Sequence, residues 1–117
     1  MRWRVFLFIV LLSTTTAHAK HKMFEREYVS QYCNGAIEYV LPGRTRVDCL
    51  TDEYAIEFDF APKWAEALGQ SLHYAYLTHR NPAIYLILES KKDMRFVNIL
   101  IPLCDVYGIK LVLIENY

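Results

Sequence analysis

Apolar and polar positions follow one another along the chain in two rhythms, one helical and one of period two, and their succession predicts the elements. Phe24, Tyr28 and Tyr32 recur every fourth residue with Val29 and Cys33 beside them, so Lys20 to Asn34 is expected to be helical. Asn34-Gly35 is expected to close that helix. Glu25 falls inside its apolar arc and Glu27 outside it. Ile37, Tyr39 and Leu41 then alternate with Glu38 and Val40, Thr45 to Thr51 alternates in turn, and Pro42-Gly43-Arg44 lies between them, the pattern of a hairpin. Tyr54 to Phe60 alternates again, with Ile56, Phe58 and Phe60 on one face and Glu57 and Asp59 on the other.

Pro62 suits the first turn of a helix running from Lys63 to about Thr78. Lys63, Gln70 and Tyr74 share one stripe of it, and Trp64, Leu68 and Leu72 form its packing face. After the break at Asn81-Pro82, Ala83 to Leu88 is a continuous apolar run, as expected of a parallel strand covered on both faces. Lys91 to Tyr107 is helical once more, with Pro102 expected to kink or split it, and beyond Gly108 Ile109 to Ile114 reads as a last buried strand. The predicted architecture is α/β: a helix, a three-strand antiparallel meander, a crossover helix, a strand, a helix and a strand.

The first nineteen residues are set apart from this pattern. Arg2 and Arg4, the apolar run Val5 to Leu12 and the exit Ala17-His18-Ala19 have the three parts of a secretory signal, expected to be cleaved after Ala19. The run is too short to span a bilayer, so no stable membrane insertion is expected, and a secreted or periplasmic location follows. Residues 20–117 then form one domain of 98 residues with 11 Lys and Arg against 13 Asp and Glu. That balance excludes a broad basic surface, so any contact with nucleic acid has to be local. Cys33, Cys49 and Cys104 are read first as small buried residues, with a Cys33–Cys49 bridge as the alternative.

The candidate chemistry lies on the second and third strands. Glu57 and Asp59 share a face and Asp48 on the neighbouring strand can stand beside them; three carboxylates in one patch repel unless protonated or neutralised by a hard cation such as Mg2+ or Mn2+. The element order, with Asp48 on the second strand and Glu57 on the third, resembles the PD-(D/E)xK nuclease superfamily, and Gln70-Ser71-Leu72-His73-Tyr74 resembles the Q-x-x-x-Y helix motif of its RecB-like branch. The resemblance covers about Glu25 to Leu88 and implies a restriction-endonuclease-like core, with Asp48 and Glu57 as metal ligands. Glu25 matches an acid that some members carry on the first helix, and Gln70 and Tyr74 stand where side chains line the path of DNA or RNA. Asp59 occupies the position of the family's lysine; Lys63, four residues on, is the candidate replacement, and Asp59 a further candidate ligand. The resemblance therefore implies a metal-dependent phosphodiesterase, the alternative being an inactive interaction module that binds a protein partner.

Overall fold

The computed structural model describes residues 21–117, and the predicted leader lies outside them. Helix α1 spans Glu25–Tyr32, and strands β1 (Ala36–Val40), β2 (Arg46–Leu50) and β3 (Tyr54–Phe60) follow. A 3-10 turn over Ala61–Lys63 leads into α2 (Trp64–Thr78) and β4 (Asn81–Leu88), and a second one, Lys91–Asp93, leads into α3 (Met94–Tyr107) and β5 (Lys110–Glu115). The strands form one mixed sheet in the order β1-β2-β3-β4-β5. The first three pair antiparallel, and β3, β4 and β5 run parallel, as the uninterrupted apolar run of β4 anticipates. No helix among the described residues is long and apolar enough to cross a membrane.

The sheet is covered on both faces. Tyr28 and Val29 of α1 pack with Cys49, Ile56, Phe58 and Ile87, whereas Ala67, Ile84, Leu86, Val97 and Leu100 fill the layer beneath α2 and α3. Each large side chain buried this fully contributes about 1.5–3 kcal/mol, so the two layers hold β3 and β4 rigidly between them. The bridge Cys33–Cys49 is formed, against the first expectation of free thiols, and Cys104 stays buried and free. It ties the end of α1 to β2, a cross-link that suits a domain with so short a covering helix.

Three local expectations are corrected. The helix ends at Tyr32, with Cys33 extended, so Asn34-Gly35 is a linker instead of a left-handed cap. Gly35 is nonetheless required, because a Cβ there would stand 2.2 Å from the carbonyl oxygen of Leu50. Phe24 and Tyr32 are exposed, so the buried stripe of α1 shrinks to Tyr28 and Val29. Finally, α3 runs unbroken through Pro102. Pro102 and Asn98 are both on the exposed side, where water can take up the Asn98 carbonyl that the proline leaves without a donor.

Candidate functional site

The ladder between β2 and β3 stops early. Leu50 pairs with Ala55 and Cys49 with Ile56, and there it ends, while β2 continues along β1 to Arg46 and β3 continues along β4 to Phe60. The two strands part like a fork. Continuing the register would set Asp48 opposite Glu57, and Asp48 Oδ2 instead accepts the Phe58 N–H at 2.8 Å, filling the gap left by the missing ladder bond. Asp59 Oδ1 accepts the Phe60 N–H at 3.0 Å. Asp48, Glu57 and Asp59 are only 9%, 6% and 5% exposed, so the fork holds three buried acids.

Their electrostatics follow from that burial. Desolvation, followed by the charge and hydrogen bonding of Asp48, drives the Glu57 carboxyl far above the usual carboxylate range, and the two groups lie close enough to share a proton. Asp48 is also raised, by burial first, although the Phe58 N–H opposes the shift and the charge of Glu38 adds to it. Asp59 is pushed up to about 6 by burial, with the Lys63 ammonium pulling it down. Glu25, half-buried at the start of α1, is pushed up to about 7 by burial and then by the charges of Asp48 and Asp59. Glu57 Oε2 is the one buried side-chain oxygen among the described residues with no hydrogen-bond partner. An orphaned carboxylate oxygen in this position is costly to keep.

Helix α2 adds further side chains. Tyr74 is buried against Val47 and Ala55, and burial together with the charges of Glu57 and Asp48 raises its phenol. Lys63 ends the 3-10 turn beside Asp59, exposed, with its charge felt by Asp59 and Glu25. Gln70 lies one turn before Tyr74 on the same stripe and is exposed. Glu25, Asp48, Glu57, Asp59 and Lys63 are thus linked electrostatically toward the end of β3, Tyr74 approaches from farther along α2, and Gln70 is exposed.

Glu38 belongs with them and sequence reasoning passed over it. It stands in the left-handed region at φ 52°, and the pair it would make with Asp48 is missing although Ile37↔Cys49 and Tyr39↔Val47 flank it. Like charges directly opposite one another destabilise a ladder, and the local distortion relieves the opposition. The signal was available, since a hairpin centred on Gly43 sets position 38 across from position 48.

Among the described residues no three His, Cys, Asp or Glu side chains already converge as a cage for an ion. The acids lean on one another and on backbone N–H groups. Their donor set is nevertheless all oxygen, the preference of Mg2+ and Mn2+, and Glu57 Oε2 is free of any protein partner. Comparison with protein-family models, with curated proteins and with solved structures found no match to this chain.

Proposed function

We propose that the chain is an exported, metal-dependent phosphodiesterase of the PD-(D/E)xK type, acting on nucleic acid at the fork between β2 and β3. The observation that carries this reading is the unpartnered Glu57 Oε2, buried beside Asp48 and Asp59 in a set of donors that is all oxygen. Asp48 and Glu57 would hold a divalent cation, with Asp59 and Glu25 at its flanks. Bound there, Mg2+ or Mn2+ supplies Lewis acidity toward a phosphodiester and toward water.

The remaining parts of the site have roles of their own. Lys63, beside Asp59 on a turn anchored by Pro62, can hold a water for attack and stabilise the negative charge that grows on the phosphate oxygens. Tyr74 closes the site from α2 and limits the access of bulk water, which strengthens every charge interaction beneath it. The proton that Glu57 and Asp48 share would be displaced by a cation held there. The leader-like segment and the Cys33–Cys49 bridge fit an oxidising compartment.

The test is hydrolysis of labelled DNA and RNA by the purified mature protein with Mg2+ or Mn2+. Cleavage that stops with EDTA and falls at least about 100-fold in Asp48→Ala supports the reading. No cleavage with either metal, or full cleavage by Asp48→Ala, leaves the second reading, a binding module without chemistry, which Asp59 at the position of the expected lysine favours.

A further inference from the structure

The carboxyl ends of β3, β4 and β5 and the beginnings of all three helices meet at the end of the sheet that holds the acids. His21 stacks on Phe60 at 3.6 Å and contacts Glu89, the Lys22 N–H donates to Glu89 at 3.0 Å, and Lys22 Nζ donates to the Asn116 carbonyl at 2.8 Å. Met23 packs against the core. These interactions pin the segment just before α1 across the strand ends.

The next residue breaks a local rule. Phe24 occupies the N-cap of α1, a position that favours Ser, Thr, Asp or Asn, and its ring is 65% exposed. Its backbone is held on the other side as well, because its N–H donates to Glu27 Oε2 at 2.7 Å and its carbonyl accepts from the Glu27 N–H at 3.0 Å. The Arg26 guanidinium sits 4.7 Å from the ring centroid. A solvent-facing ring on an anchored backbone, with a cation against it and next to Glu25, is a platform for a flat aromatic ligand.

Cations flank the acids along the same end. Arg46 begins β2 on one side; Lys91 and Lys92 in the turn after β4 and Arg95 at the start of α3 lie on the other, all exposed. Among the described residues the one acid–base pair within 4.0 Å is His21 with Glu89, so none of these four is neutralised by a close carboxylate. Paired strands stand about 4.8 Å apart, so β2 is at least about 10 Å from β4 and farther where the fork opens, a span of about two nucleotides or more.

We propose that a single-stranded nucleic acid crosses this end of the sheet, its phosphates following Arg46, Lys91, Lys92 and Arg95 and one base stacked on the Phe24 ring beside Arg26. The proposal rests on the reading of the acid cluster as a phosphodiesterase site and adds the substrate class. A duplex does not fit the same features. Its bases are already stacked and cannot reach Phe24, and the chain offers neither a broad basic face nor a projecting element for a groove.

The experiment measures fluorescence anisotropy of a labelled oligothymidylate, single-stranded and annealed to its complement, with EDTA present to prevent cleavage. The wild-type protein should bind the single strand at least tenfold more tightly than the duplex. Phe24→Ala should weaken that binding about tenfold and Phe24→Tyr restore it. Lys91→Ala with Lys92→Ala should lower the salt slope by about 0.7 for each phosphate that is no longer neutralised. Equal affinity for the duplex, or a folded Phe24→Ala protein that binds like wild type, overturns the proposal. Wild-type hydrolysis of bis(p-nitrophenyl) phosphate with Mn2+ is measured separately. If that small diester is cleaved while binding ignores Phe24, the track is wrong and the phosphodiesterase reading survives; Phe24-dependent binding without any hydrolysis keeps the track and removes the chemistry.

Discussion

β3 and β4 lie side by side in register from Tyr54↔Asn81 to Phe60↔Ile87, both largely buried and beneath the same helix, yet their chemistry is opposite. Glu57 stands beside Ile84 and Asp59 beside Leu86. On β4 these positions fill the layer under α2 and α3 with hydrocarbon. On β3 they hold carboxylates that cost free energy to desolvate and repel each other. One strand therefore stabilises the fold and its neighbour spends part of that stability to keep a charged site dry.

The sharpest way to break this contrast is to damage the stabilising side. Leu86→Ala removes a fully buried side chain and should cost about 2–5 kcal/mol, lowering the thermal midpoint by roughly 10 °C or more; a loss below about 1 kcal/mol would mean that β4 is not the structural strand. Reducing the Cys33–Cys49 bridge opens a loop with a sequence separation of 16 and should cost about 3 kcal/mol in chemical denaturation. Because the bridge joins α1, which carries Glu25, to β2, which carries Asp48, reduction should also weaken any metal response.

On the charged side the signs reverse. Asp48, Glu57, Asp59 and Glu25 all have folded-state values above their ordinary ones, so the folded chain binds protons more tightly than the unfolded chain. The stability this contributes is present in full below about pH 4 and is lost as pH rises through about 6 to 7 and beyond. In EDTA the thermal midpoint should fall steadily from pH 4 to 8 by about the effect of one or two kcal/mol, and saturating Mn2+ should flatten the curve. A midpoint that rises over this range would contradict the clustered acids. Last and smallest, Glu57→Gln should change the stability of the metal-free protein at neutral pH by less than about 1 kcal/mol, since the raised Glu57 carboxyl keeps its proton there and the amide donates to Asp48 in its place. The same variant should lose the gain of about 2.7 kcal/mol expected when the cation stands at 100 times its dissociation constant.

Much of the framework was legible in the residues. The bounds of β3 at Tyr54 and Phe60, the parallel character of β4 and the stop at Gly108, which has φ 65°, all follow from period, apolar run length and glycine's freedom in the left-handed region. The departures fall where a neighbour overrides local preference. Phe24 continues the helical stripe but begins the helix, Pro102 is tolerated because its side of α3 faces water, and the Cys33–Cys49 bridge needed two residues brought to a Cα separation of 5.7 Å. The site divides in the same way. Alternation put Glu57 and Asp59 on one face, whereas the part played by Glu38 depended on its place across the hairpin from Asp48.

Sequence alone determined which residues could carry charge into the sheet and which strands would be covered, because side-chain period and apolar content act over a few neighbouring positions. Only the tertiary structure decided that β2 and β3 separate beyond Cys49↔Ile56, that Tyr74 is buried against Val47 and Ala55, and that one oxygen of Glu57 is left without a partner. Those outcomes depend on groups far apart in the chain meeting in a space that excludes water, and no local pattern encodes how much room remains there.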